Sequence, residues 1–456
     1  MDGNSSRRRH ARDPHSSELT CAQSKMGPIE SLEQGPAISV PFRFLLTAPL
    51  FGVAAGLTLA WIGADALSSR WSPGAMALTH LITTGFLLQA MFGALLQLVP
   101  VAAAGNVWRP KLLAAIVHPI IAAGAILLSF SLLAWHPDEL RLGALLLAVG
   151  TAGYALVIGA ALLRTAATGA TVRALRGSIV GLLMTVGLGV TLVQALTGSL
   201  RIAFIEATDL HAAWGLGGWA LLLFAGVCLY VVPMFQLTPS YPGWLGRALV
   251  PWTLASLLAT SVLALWPHGL LWQEATVGAG LLLAMVFAFA TLWLQQHRRR
   301  ARADASLYFF RSAMLCLLSA GGLYALGQTS EGAQVAMPPL IGVLILIGVL
   351  VAAVNAMLYK IVPFLCTLEL QRHKTPLAKP SMLQFISSKA MVGQWWLHLL
   401  ALALLGASTQ LPLLTATAGL VFAASCAWLQ WNLVAALRKY RGLRGPMRAS
   451  AAVGES

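Results

Sequence analysis

His80-Leu-Ile-Thr-Thr-Gly85-Phe-Leu-Leu-Gln-Ala-Met-Phe-Gly93-Ala-Leu-Leu-Gln97-Leu-Val-Pro100 runs from an imidazole to a proline without one formal charge between them. As a helix it is about 30 Å long, the thickness of bilayer hydrocarbon. Its ending recurs. A later run closes on Gly226-Val-Cys-Leu-Tyr230-Val-Val-Pro233, and another on Ala356-Met-Leu-Tyr-Lys360-Ile-Val-Pro363. A glycine stands fifteen residues before each proline, at Gly85, Gly218 and Gly348. Each has a second small residue eight positions on, just over two turns, so the pair lines one helix face and permits close backbone approach.

The prolines lie about 130 residues apart, a distance that holds four membrane crossings with their loops. The unit is therefore four helices, used three times, which separates the chain from major-facilitator transporters built as two halves of six. Apolar runs long enough to span a lipid bilayer are read at Pro41–Leu67, Gly74–Val101, Lys111–Trp135, Arg141–Leu163, Arg176–Thr197 and Leu210–Met234. Six more follow at Leu249–Trp266, Leu270–Gln296, Leu307–Leu326, Met337–Phe364, Phe385–Leu405 and Leu411–Leu437. The expected fold is all-α and polytopic, with three pseudo-symmetric repeats at 41–165, 174–297 and 305–437 inside a membrane domain of 41–437.

Composition agrees. Of 456 residues, 58% are apolar and 10% are Asp, Glu, Lys or Arg. A soluble domain carries about a quarter charged residues. The net charge of +15 does not mark a nucleic-acid binder, because the cations sit between apolar runs and not on one basic face. They collect in alternate loops, at Arg109 and Lys111, Arg164 to Arg176, Arg247, Arg298 to Arg300, Arg372 to Lys379 and Arg438 to Arg444. The other loops hold Asp138, Glu139, Glu206, Asp209 and Glu331. The positive-inside rule then places both termini in the cytoplasm, in a bacterial-type inner membrane. Residues 1–40 are expected to be a disordered basic tail, and 438–456 a second basic tail. The five cysteines occur singly, without zinc or redox spacing, and four lie in apolar runs as buried thiols. The 15 tryptophans suit interfacial belts. No phosphate-cradling loop and no His-Glu-x-x-His motif is present.

Three arcs of four helices, cytoplasmic termini, and a second helix reading His80, Gly93 and Leu98-Val99-Pro100 resemble subunit I of the haem–copper oxidases. The likeness extends over Pro41 to Leu437. It implies a cytochrome c oxidase subunit I-like fold, in which the second helix carries a haem ligand about six turns before the Leu-Val-Pro end. The departures are specific. The family's tenth-helix His-x-His has no counterpart in Met337–Phe364, and its adjacent copper histidines have none in Leu249–Trp266, with only His268 just beyond. His211 stands in the sixth span without the family's His-Pro-Glu-Val-Tyr context. The pattern is similar to a non-oxidase relative, comparable to the NnrS-type membrane proteins, which are associated with haem, copper and nitric oxide. The resemblance implies a role in redox, nitric-oxide response or respiratory-chain assembly, with respiratory or nitrogen-oxide redox proteins as partners. The incomplete ligand set leaves enzymatic activity open and argues against oxygen reduction.

His80 and His211 are the leading candidates for haem or metal. They precede the matched prolines by twenty and twenty-two residues, so both lie in the first turns of inbound helices. An imidazole at lipid depth is costly unless hydrogen-bonded or metal-bound. The ordinary alternative is a boundary histidine bonded to a backbone carbonyl or water. His398 falls in mid-span in Gln394-Trp-Trp-Leu-His398 and needs a partner, by haem ligation or by a helix–helix hydrogen bond. His118, before Pro119, ranks fourth, as a packing or capping group with haem ligation as its functional reading. Lys360 and Tyr230 could line a path to the cytoplasm, although a lysine at a helix end ordinarily snorkels to the interface. Competing with the haem or copper reading are a secondary transporter or channel and a catalytically silent scaffold.

Overall fold

Each apolar run folds as one long helix. The computed structural model describes residues 35–264, 270–299, 304–328, 338–372 and 382–454, and among these residues every regular element is helical. Twelve of the described helices are long and apolar enough to cross a membrane. They are α1 (Ser39–Leu67), α2 (Pro73–Ala103), α3 (Pro110–Ala134), α4 (Pro137–Arg164), α5 (Ala170–Leu196), α6 (Phe204–Gln236), α7 (Gly243–Ala264), α8 (Glu274–Gln296), α9 (Ala305–Gly327), α10 (Pro338–Gln371), α11 (Ser388–Ser408) and α12 (Pro412–Arg444). The chain has the architecture of a multi-pass helical membrane protein.

The helix ends follow local chemistry. Prolines stand at the start of α2, α3 and α4, where a missing N–H costs little. The side chains of Ser72, Asp304 and Ser387 accept from first-turn N–H groups and so cap α2, α9 and α11. Asp138 and Glu139 occupy the first turn of α4, where the helix dipole favours anions. Several helices therefore begin a few residues before their apolar runs, while α11 starts three residues late, at the serine cap. The matched prolines do not end their helices either. The helix goes on past Pro100 to Ala103, past Pro233 to Gln236 and past Pro363 to Arg372. The last α-helix runs unbroken from Thr415 to Gly454, so the basic run Arg438 to Arg444 lies on it and not in a separate tail. Of the expected N-terminal tail, residues 1–34 lie outside the described residues, as do His268, Glu331, Met337 and His373.

Three helices form the interior. In α2, α6 and α10, 78%, 61% and 67% of the apolar window is buried inside the protein, against 17% to 44% in the other nine. The outer helices keep most of their apolar surface exposed, whereas the inner three are covered by protein. All three are wound as π-helix over one stretch, Leu81–Leu87, Trp214–Leu221 and Leu344–Val351. The first residue of each stretch stands nineteen positions before Pro100, Pro233 or Pro363. Gly85, Gly218 and Gly348 all fall inside these wide turns. Each is a point of close approach to the preceding helix: Gly85 meets the Phe51 ring, Gly218 meets Gly181, and Gly348 meets Cys316. Eight residues on, Gly93 packs on Phe44 and Leu45, and Gly226 on Ala174, while Ala356 is fully buried. Small residues at these points let backbones touch, which is how helices associate where lipid removes the hydrophobic drive.

Between the three inner helices lies a narrow apolar cavity of about 60 Å³. Met91, Leu95, Phe224, Val227, Leu350 and Met357 are among its walls, and among the described residues no ionisable side chain lines it. The outer helices close on themselves at α1 and α12. A Cβ on Gly56 would stand 2.6 Å from the Gly419 carbonyl oxygen, and one on Gly419 would stand 2.6 Å from that of Gly56.

Candidate functional site

His80 and His211 come together. Each lies about two turns into its helix, counted from Pro73 in α2 and from Phe204 in α6. The rings are near-parallel, with planes 26° apart and centres 6.2 Å apart. His80 Nδ1 is 2.7 Å from the Met76 carbonyl one turn earlier on its own helix. His211 Nδ1 is 3.0 Å from the Thr185 carbonyl of α5. A carbonyl oxygen can only accept, so both Nδ1 atoms carry the proton and both Nε2 atoms keep a lone pair. The tautomer that suits a metal-binding histidine is thereby set in both rings by the backbone.

The sequence builds this locally. Gly189, one turn after Thr185, leaves the Thr185 carbonyl uncovered, and a Cβ there would come within 3.1 Å of the His211 ring. Gly181, about two turns before Gly189, lets α5 touch Gly218, which holds α5 against the wide turn of α6. Close to the pair, the start of α6 is clasped to the segment that leads into α2. Arg70 Nη1 is 2.6 Å from Asp209 Oδ1, the Arg70 guanidinium lies over Trp71 at 4.4 Å, and Trp71 meets Phe204 at 6.1 Å. The ion pair is exposed and contributes little by itself, about 0–1 kcal/mol, but it fixes the approach of the two helices. Neither Arg70 nor Thr185 carried a sequence signal, since nothing local marks a partner on another helix.

The remaining candidates stand apart from the pair. His398 is buried in α11 against Phe309, with ring centres 5.5 Å apart. Its ring faces the backbone of Ile347 in the wide turn of α10, but neither nitrogen makes a hydrogen bond of ordinary geometry among the described residues. His118 donates from Nε2 to Thr47 Oγ1 at 2.8 Å, because the Thr47 hydroxyl proton is committed to the Arg43 carbonyl. That is a helix–helix contact between α3 and α1. Lys360 does not snorkel: its Nζ is 2.6 Å from Asp304 Oδ2, with both side chains largely buried. The lysine of α10 thus ties down the cap of α9. Asp304 is the partner that spacing could not reveal, because it lies 56 positions away across another span.

Among the described residues neither Nε2 has a hydrogen-bond partner, and a lone pair left on imidazole is the kind of donor a metal ion takes. Bonds of roughly 2.0 Å from one ion to both nitrogens, in a near-linear arrangement, set the ring centres about 6 Å apart, the spacing seen between these rings. The same spacing would also suit two imidazoles holding a haem iron. The narrow cavity between α2, α6 and α10 does not reach these rings: neither His80 nor His211 is among its walls. Among the described residues, no group of three or more His, Cys, Asp and Glu side chains gathers at one point. No protein-family model matches the chain, and no curated protein is significantly similar to it.

Proposed function

We propose that this chain is a membrane metalloprotein, related in architecture to subunit I of the haem–copper oxidases, that holds a copper ion between His80 and His211. The observation that carries the proposal is the convergence of these two side chains from separate helices, each with Nδ1 tied to a carbonyl and Nε2 left as donor. Imidazole suits copper, and the bond lengths suit the ring spacing. The ion would supply one-electron chemistry close to one membrane surface. The second reading is a haem whose iron both imidazoles would hold, favoured by the same spacing.

Three repeats of four helices are part of the proposal. What supports them is the common register of the π-helical stretches, the glycine inside each, and the greater burial of α2, α6 and α10. Wide turns of this kind often accompany functional sites. Both termini are assigned to the cytoplasm, and the histidine pair to the opposite side, where a respiratory or nitrogen-oxide redox protein would meet it. The transporter or channel reading finds no ionisable lining along the central cavity among the described residues.

The test is spectroscopic. Purified protein is expected to carry copper, or a Soret band with iron, and His80→Ala and His211→Ala are each expected to lose most of it. A colourless, metal-free protein refutes the proposal, as do variants with unchanged spectra and metal content. Substrate uptake by such a metal-free preparation would assign the chain to transport.

A further inference from the structure

A second site lies at the other end of the bundle, where α1 begins, α12 ends and α3 passes beside them. A cavity of about 770 Å³ opens there, lined by Arg43, Arg441 and Arg444. No carboxylate lines it among the described residues. Arg43 and Arg441 are exposed, and Arg444 donates from Nη1 to the Tyr440 hydroxyl at 3.2 Å, with Tyr440 likewise on the cavity wall. The N-terminal end of α1 borders the same space at Ser39, and no acidic side chain occupies its first turn. A helix start adds partial positive charge to that of the arginines. Three cations held around one space repel one another, so the arrangement is relieved by a bound anion.

The remaining wall says which anion. Phe42, Leu46 and Leu437 line the cavity beside the charges, so one part is cationic and the adjoining part apolar. An inorganic ion would leave the apolar part unused. A phospholipid puts its phosphate on the guanidiniums, which bind phosphate through paired N–H donors, and its glycerol and upper chains on the apolar wall. The volume lies within the range of sites for molecules of headgroup size. The place fits too, since this is the end of the bundle at which the Arg and Lys of alternate loops collect, and basic pockets between spans on that side take anionic headgroups.

We infer that this cavity binds the phosphate of an anionic phospholipid, seating one lipid molecule across the α1–α12 closure. His118 lies on the wall as the hydrogen-bonded link from α3 to Thr47, so an occupied site also joins α3 to the seam. The inference does not depend on metal at the histidine pair.

Detergent-purified full-length protein is titrated with short-chain phosphatidylglycerol, short-chain phosphatidylcholine and inorganic phosphate, with the unfolding temperature as readout. Phosphatidylglycerol is expected to raise it in a saturable way, and the other two to leave it near the starting value. Replacing all three arginines, as Arg43→Gln, Arg441→Gln and Arg444→Gln together, is expected to weaken the lipid at least about tenfold, the equivalent of one charge-assisted hydrogen bond. Arg441→Gln alone, on an exposed side chain, should weaken it in the same direction if the triple variant proves unstable. Arg201→Gln, at the opposite end, should not. An equal response to phosphate assigns the site to a free anion and overturns the lipid. No response to phosphatidylglycerol, or an equal response in the triple variant, overturns the site.

Discussion

Lys360 and Asp304 make an ion pair that is only 13% and 17% exposed, and the carboxylate also accepts from Ser306 Oγ and from the Leu307 N–H. Burial pushes the Asp304 carboxyl up, but the Lys360 charge, its hydrogen bond and those from Ser306 and Leu307 together hold it below the usual carboxylate value. A carboxyl depressed by folding adds stability that is complete above its unfolded value, about 3.9, and is lost as the pH falls through the lower, folded one. Asp304→Asn is expected to destabilise the protein by about 2 kcal/mol at neutral pH, because it leaves a largely buried lysine without its anion. The difference from wild type should close as the pH drops below about 4. Thermal unfolding across that range measures both, and a pH-independent difference would show that the charge of Asp304 has no part in it.

Within a single element, α5 shows how much depends on one atom. Gly181 touches the backbone of Gly218, whereas an added Cβ on Gly187 of the same helix meets nothing within 4 Å among the described residues. Gly181→Ala is expected to cost about 1–3 kcal/mol by forcing α5 off α6. Gly187→Ala is expected to be neutral or slightly stabilising through helix propensity. Because α5 also carries the Thr185 carbonyl, Gly181→Ala should lower metal content per chain as well as the unfolding temperature, and retained content would separate packing from the site. The sequence announced such helices through their apolar length, and announced the glycines through their distance from a proline. It did not announce the π-helical turns, since hydropathy is blind to whether a carbonyl bonds four or five residues on. Nor could it pair His80 with His211: depth along a helix is readable from residue count, but the rotation that turns two rings toward each other depends on packing between α2, α5 and α6.

For the molecule as a whole, twelve helices bring the beginning of α1 and the end of α12 to one end, and Gly56 and Gly419 close the seam between them. With that end cytoplasmic, a cysteine placed beside Arg299 should resist a membrane-impermeant thiol reagent added outside intact cells, and one beside Arg201 should react. The reverse pattern would invert the protein in the membrane. The inner three helices have a further consequence. Their shared cavity is small and wholly apolar, the kind of space that stays dry. No ionisable group lines it among the described residues. The membrane voltage, worth about 2.3 kcal/mol per charge at 100 mV, finds nothing there to move. A proton or ion that crosses finds no titratable relay in that cavity among the described residues and needs one elsewhere in the bundle.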